Sequence, residues 1–213
     1  MTEEKITIRP EYSAVAAKNS ATPSRATQAA ITVLREANAS KTVEIGCGLL
    51  ANTQHILKAF PFVVLVDTKL QYQRIQEKIA ELSKTHSSLK EFIDVESFKE
   101  REMQLDGAII INVIHILPTD SERLSILTSG YNNLRRGGLI FIDVPYNETY
   151  YRDHVKTAKV YNDGYVMSRG GSSYTFYKNM TFDELKGYAN RAGFQFEKRI
   201  YLDHRVTFIC RKK

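Results

Sequence analysis

The feature that most constrains this chain is an alternation of two periodicities. Apolar runs too short to be helices lie at residues 43–45, 63–66, around Phe92 and Ile93, at 107–113 and at 139–144. Between them, residues 49–60, 70–82 and 121–134 place apolar side chains at helical spacing. Such a rhythm predicts βαβ units, which bring successive strands side by side in one parallel sheet. The runs from Ala108 to Ile111 and from Leu139 to Ile142 carry no polar residue, as expected of strands covered on both faces.

The two ends of the chain depart from this rhythm. Residues 1–40 read as an irregular leader followed by a helix, with Thr22 as N-cap, Pro23 at the first helical position, and Ala26, Ala29, Ala30, Val33 and Leu34 on one face. Near the C-terminus, Thr181-Phe182-Asp183-Glu184 supplies an N-cap and an acidic first turn, Leu185, Tyr188 and Ala189 continue the helix, and Gly193 ends it. Residues 194–202 and 205–211 then flank the polar pair Asp203-His204, which predicts a closing antiparallel hairpin.

Residues 145–180 show no sustained periodicity and hold seven of the twelve tyrosines. They read as an insertion that serves as a substrate lid, with Arg169-Gly170-Gly171-Ser172-Ser173 as its hinge. Tyr146, Tyr150, Tyr151, His154, Tyr161, Tyr165, Tyr174 and Tyr177 stand there beside Arg152, Lys156, Lys159 and Arg169. Aromatics among cations suit bases and phosphates, whereas amphipathic cover over a small metabolite is the simpler use of tyrosine.

A chain of 213 residues with 43% hydrophobic content can fill one core, so residues 1–213 are read as a single domain. No apolar stretch approaches the roughly 20 residues of a membrane span. Met1-Thr2-Glu3-Glu4-Lys5 is acidic and polar where a signal peptide would be basic and then apolar, so a cytoplasmic location is expected. Cys47 and Cys210 are the only cysteines and suggest neither a disulfide frame nor a metal site. The net charge of +6 is unevenly placed. Residues 1–134 hold 15 Lys+Arg against 16 Asp+Glu, and residues 135–213 hold 15 against 8. This basic half is either a solvated face or a surface for an acidic partner.

In an open parallel sheet, ligands collect beyond the carboxyl ends of the strands. The first predicted strand ends in Glu44-Ile45-Gly46-Cys47-Gly48, the second in Asp67, the third in Asp94 and the fourth in Asn112 to His115. A glycine turn lets backbone approach a ligand, an acidic residue after the second strand can accept from ribose hydroxyls, and one after the third can meet an adenine amino group. Taken singly these signals are ambiguous. Gly46 to Ala51 also fits the glycine pattern of nicotinamide enzymes; Asp94 could simply cap a helix starting near Ser97; Cys47 could be a small filler. Their order after successive strands is what carries weight.

That ordered set resembles the class I S-adenosylmethionine-dependent methyltransferases from Thr42 to Arg211. Val43 to Gly48 is similar to the first motif of that family, Leu65-Val66-Asp67 to its ribose-binding strand end, and Asp94-Val95-Glu96 to its adenine-side loop. Residues 106–117 are similar to the fourth strand of the small-molecule branch, residues 134–140 to the turn before the fifth, and the terminal helix and hairpin to the end of the family fold. The resemblance implies an α/β, doubly wound, Rossmann-like sheet of seven mostly parallel strands with an antiparallel C-terminal hairpin and helices on both faces. It further implies S-adenosyl-L-methionine as cofactor. Gly46 and Gly48 would let its methionine portion approach the turn, Asp67 would hold its ribose, Asp94 and Val95 would frame its adenine, and Asn112 would turn its backbone carbonyl to the amino group, with Cys47, Thr68 and Val113 as further cofactor-binding residues and Glu44 organising the glycine turn. Leu49-Leu50-Ala51 departs from the family, which often has another small residue there.

Methyl transfer from a sulfonium requires chiefly that an acceptor atom be aligned behind the methyl carbon. His115 and Tyr146, just beyond strand ends, are the candidates for a general base, although a histidine between Ile114 and Ile116 also suits a structural role. Base-amine methyltransferases would be expected to carry Asn-Pro-Pro-Tyr after the fourth strand, and this chain has Asn112-Val113-Ile114-His115. A small-molecule acceptor therefore ranks first. RNA or DNA methylation through the basic C-terminal half, or a catalytically silent cofactor-binding subunit, are the alternatives.

Overall fold

A computed structural model describes Ile8, residues 22–168 and residues 174–213, with backbone alone for residues 149 and 150. The leader before residue 22, Ile8 excepted, the 169–173 hinge with Arg169, and the Tyr150 side chain lie outside the described residues.

The α/β alternation runs α1 (Arg25–Glu36), β1 (Lys41–Ile45), α2 (Thr53–Ala59), β2 (Phe62–Asp67), α3 (Lys69–Thr85), β3 (Leu89–Asp94), α4 (Val95–Lys99), β4 (Leu105–Ile111), α5 (Asp120–Asn133) and β5 (Leu134–Pro145). An insertion follows, comprising α6 (Thr149–Val155), β6 (Lys159–Tyr161), β7 (Gly164–Ser168) and β8 (Tyr174–Tyr177). The chain closes with α7 (Phe182–Arg191), β9 (Phe194–Ile200) and β10 (Arg205–Lys212).

Seven strands form one sheet in the order β3-β2-β1-β4-β5-β10-β9. The pairs from β3 across to β5 are parallel, and β10 is antiparallel to both β5 and β9. Alternate strand residues feed two cores. Val43, Ile45, Val64 and Ile110 pack with Phe98, Leu127 and Leu185 from α4, α5 and α7. Val63, Leu65, Ile109 and Phe141 pack with Leu34, Ile56, Leu57 and Ile75 from α1, α2 and α3 on the other face. Each fully buried aliphatic side chain contributes about 1.5–3 kcal/mol, and both faces must be covered because the central strands β2 and β4 are apolar on both.

Local chemistry sets the boundaries. Thr119 with Glu122 and Thr181 with Glu184 form capping boxes at α5 and α7, and Gly193 at φ 99° closes α7. Two expectations are corrected. The cap of α1 is Ser24, whose hydroxyl accepts from the Thr27 N–H at 3.1 Å, so Thr22 and Pro23 precede it. Helix α2 begins at Thr53 and does not follow the glycine turn directly: residues 49–52 form turns, with Leu50 in the left-handed region at φ 68°. Leu49 and Leu50 still pack into the core from those turns. They therefore supply the apolar spacing of a helix without being in one.

The insertion is a folded unit. Strands β6-β7-β8 form a second, antiparallel sheet, and Gly164 is required there because a Cβ would lie 2.4 Å from Phe176. Its strands have three to five residues, too few for a periodic pattern to emerge from the sequence. The unit is clamped to the body. The Arg123 side chain, fully buried, donates to both oxygens of Asp163 at 2.6 and 2.8 Å, Lys178 donates to the same carboxylate at 2.6 Å, and Asn162 donates to the Pro118 carbonyl at 3.0 Å. These cations hold the Asp163 carboxyl well below the usual carboxylate range. No helix among the described residues is long and apolar enough to cross a membrane.

Candidate functional site

A cavity of about 620 Å³ opens beyond the carboxyl ends of the parallel strands. Its lining includes Gly46 and Cys47 after β1, Asp67, Thr68 and Gln71 at the β2–α3 junction, Val95 and Glu96 after β3, and Asn112, Val113 and His115 after β4. Pro145 after β5, Glu148 and Tyr151 from the insertion, and Arg205 from β10 complete the opposite wall.

The glycine turn is fixed by its neighbours. Gly46 has φ +79°, and a Cβ there would sit 2.2 Å from Val113 Cγ2, so the position requires glycine twice over. Gly46 N–H donates to the Val66 carbonyl at 2.7 Å, and Gly48 N–H donates to Asp67 Oδ2 at 2.7 Å. The other Asp67 oxygen accepts from Thr68 N–H at 2.8 Å. Gln71 Nε2 donates to the Gly48 carbonyl at 2.7 Å. One carboxylate thus joins the turn after β1 to the end of β2.

Glu44 lies beneath this turn. It accepts from the Thr53 hydroxyl at 2.6 Å, so it organises the start of α2; the contacts that hold the glycine turn come from Val66, Asp67 and Gln71. Burial pushes its carboxyl up to about 8, the Thr53 hydrogen bond opposes that, and the Asp67 charge adds to it. Cys47 is also buried, and desolvation followed by the charges of Asp67 and Glu44 raises its thiol well above the ordinary value. A protonated thiol is not a nucleophile.

Asp94 does not line the cavity. Its carboxylate caps α4, accepting from Glu96 N–H, Ser97 N–H and the Ser97 hydroxyl at 3.2, 3.1 and 2.5 Å, and Val95 and Glu96 face the cavity in its place. A short helix starting right after β3 needs an acceptor for its first N–H groups, and Asp94 is the one at hand. Tyr146 is also displaced from its expected role. Its ring packs against the hydrophobic core and is not part of the lining, because the chain turns there and brings Tyr151 inward from α6.

His115 does face the cavity, at 1% exposure. Its Nε2 lies 3.4 Å from the Tyr151 hydroxyl, its Nδ1 has no hydrogen-bond partner among the described residues, and burial followed by the nearby Arg205 charge pushes its pKa down to about 3. The imidazole is therefore neutral at physiological pH. Tyr151 and Tyr177 stack with centroids 3.9 Å apart and planes 3° apart, and His115 stands edge-on to both.

Sequence reasoning missed the hub of this wall. Asp143, fully buried in β5, accepts from Arg205 Nε at 2.8 Å to each oxygen, from Arg205 Nη2, and from the Thr207 hydroxyl at 2.6 Å. Arg205 also donates to Glu148 Oε1 at 3.0 Å and to Asn112 Oδ1. Asn112 has φ 60°, and its N–H donates to the Asp143 carbonyl at 2.9 Å. A charged residue inside an otherwise apolar strand run, as Asp143 is, was the available signal, because a buried carboxylate demands a cation.

No family model matches the chain, and no curated protein does. Solved structures do. A methyltransferase from Clostridium acetobutylicum, described as S-adenosylmethionine-dependent, superimposes with a TM-score of 0.64 at 12% identity, over 87% of this chain and 90% of that one. The 1,6-didemethyltoxoflavin-N1-methyltransferase of Burkholderia thailandensis, solved with 1,6-didemethyltoxoflavin and S-adenosylhomocysteine bound, gives 0.61 at 18% identity over 88% and 78%. Magnesium protoporphyrin IX methyltransferase from Synechocystis, solved with S-adenosylhomocysteine bound, gives 0.62 at 11% identity over 88% and 82%. The chain has the fold of the class I S-adenosylmethionine-dependent methyltransferases, as the sequence resemblance implied.

Proposed function

We propose that this chain is an S-adenosylmethionine-dependent methyltransferase acting on a small molecule. The observation that carries the reading is the Gly46–Asp67 junction: a left-handed glycine packed on Val113, with the Asp67 carboxylate linking the turn to the next strand, at the mouth of a cavity of about 620 Å³. These residues suit the cofactor. Gly46 is held to glycine by Val113 and keeps the turn close against the cavity, Asp67 and Thr68 line the cavity where ribose hydroxyls need acceptors, and Val95 offers an apolar surface to a base. Gly46, Cys47, Gly48, Asp67, Thr68, Val95, Asn112 and Val113 form the cofactor half, with Glu96 in the place first given to Asp94.

When bound, the cofactor supplies an electrophilic methyl carbon. The remaining work belongs to the chain: the insertion covers the cavity, Asn112 and Val113 fix its floor, and Tyr151 and His115 orient an acceptor. A neutral His115 with a depressed pKa orients by hydrogen bonding and does not store a proton. A small acceptor is supported by the clamped insertion and by partial pairing of the basic half, in which six of its fifteen cations, Arg135, Lys156, Lys178, Arg191, Arg205 and Arg211, meet carboxylates among the described residues. The toxoflavin and protoporphyrin enzymes of the same fold are named for small acceptors.

Calorimetry with S-adenosylhomocysteine tests the cofactor assignment, with NAD(P) as the competing ligand; heat with NAD(P) alone would overturn it. Labelled methyl transfer into a cell extract tests the acceptor. The label is expected in the low-molecular-weight fraction, and label released only by nuclease or protease would refute a small acceptor.

A further inference from the structure

The wall opposite the glycine turn has a charge and hydrogen-bonding character of its own. His115, Pro145, Glu148, Tyr151 and Arg205 form it, Asn112 joins it to the cofactor half, and the Arg205 guanidinium is already committed. Its Nε donates to both Asp143 oxygens, Nη2 to Asp143 and Asn112, and Nη1 to Glu148, which leaves at most one of its five N–H groups. One guanidinium thus answers two carboxylates, and the group of three carries a net negative charge.

The neutral side chains add to the same bias. Proline brings no N–H to the wall. His115 presents an uncharged ring whose Nε2 is close to the Tyr151 hydroxyl, and the stacked Tyr151–Tyr177 pair gives the wall a rigid aromatic face. An anionic group placed here would meet Glu148 directly with Asp143 behind it. A group rich in N–H donors would find a carboxylate and a π face.

Resting on the methyltransferase reading, we propose that the methyl acceptor is an amine, held through its N–H groups by Glu148 with its carbon frame against Tyr151, and that anionic acceptors are rejected. The uncharged amine nitrogen would form the N–C bond to the methyl carbon as the S–C bond of the sulfonium breaks to leave a thioether, and the proton that the methylated nitrogen then sheds would pass to Glu148 or to water.

The test uses the full chain saturated with S-adenosylhomocysteine and a matched probe pair, 2-phenylethylamine and 3-phenylpropionate, titrated by calorimetry at pH 7. The amine is expected to bind at least about tenfold tighter, since a like-charged carboxylate pair at this range is strongly repulsive. Glu148→Gln should remove that preference, and the variant's melting curve and S-adenosylhomocysteine titration report loss of fold or of the cofactor half separately. Equal or tighter binding of the carboxylate, survival of the preference in Glu148→Gln, or the absence of any binder among primary, secondary and heteroaromatic amines would each overturn the proposal. Failure of the wild type to bind S-adenosylhomocysteine would instead strike the methyltransferase reading.

Discussion

The two walls of the cavity are built on different principles. The cofactor wall is made by residues that immediately follow successive strands, so each is fixed by the sheet itself and its partners lie in neighbouring strand ends. The acceptor wall is made by a buried ion pair and a folded insertion, whose members come from β5, α6 and β10 and meet only in three dimensions. A wall of the first kind can be read along the sequence. One of the second kind depends on long-range pairing, such as Arg205 with Asp143 across 62 positions.

The largest expected loss of stability separates the walls. Asp163→Ala removes the carboxylate between fully buried Arg123 and Lys178, and should destabilise the protein by about 2–3 kcal/mol, less than for a wholly buried pair because the Asp163 side chain is 39% exposed and Arg123 and Lys178 keep Asp120 and Glu184. Chemical denaturation reads this. Affinity for S-adenosylhomocysteine should move less than about twofold, since Asp163 does not line the cavity; parallel losses in both would show that the walls are not independent.

Gly46→Ala is the converse. It forces a Cβ into Val113 at φ +79° and should weaken S-adenosylhomocysteine binding by about 2–3 kcal/mol, measured by calorimetry, while costing about 1–2 kcal/mol in stability. Gly46→Ala combined with Val113→Ala relieves the clash and leaves the dihedral strain, so recovery should be partial.

Glu44 provides a pH test confined to the cofactor wall. Its folded pKa of about 8 lies above the ordinary 4.5, so between those values the native state holds a proton that the unfolded state has released. Stability therefore falls as pH rises through that window. Glu44→Gln should abolish this fall, becoming more stable relative to the wild type by on the order of 3 kcal/mol between pH 5 and pH 8. A constant difference across that range would show that Glu44 is ionised throughout.

The smallest effect concerns the tyrosine that lies outside the cavity. Tyr146→Phe should change stability and ligand affinity by less than about 0.5 kcal/mol, whereas Tyr151→Ala, which removes the aromatic face, should reduce amine binding. A reversal of that order would restore Tyr146 to the site.

How much was legible follows the same division. The parallel sheet, the terminal hairpin and the positions of Gly46, Asp67, Asn112 and Val113 could be read because each sits at the junction of two periodicities. Asp94 could not be assigned from order alone, since a carboxylate after a strand serves equally as ligand contact and helix cap, and the short α4 claims it. Helix α2 was read too long because Leu49 and Leu50 imitate helical spacing while lying in turns. Glu148 and Arg205 carried no local signal: each is an ordinary surface-type charge until Asp143 draws them together.

The most direct measurement is a calorimetric titration of the wild type and Gly46→Ala with S-adenosylhomocysteine. The wild type should give a saturable one-site isotherm and the variant should lose most of that heat while remaining folded. A wild type that gives no heat, or a variant that binds as well as the wild type, would contradict the assignment of the glycine turn and Asp67 to an adenosyl cofactor.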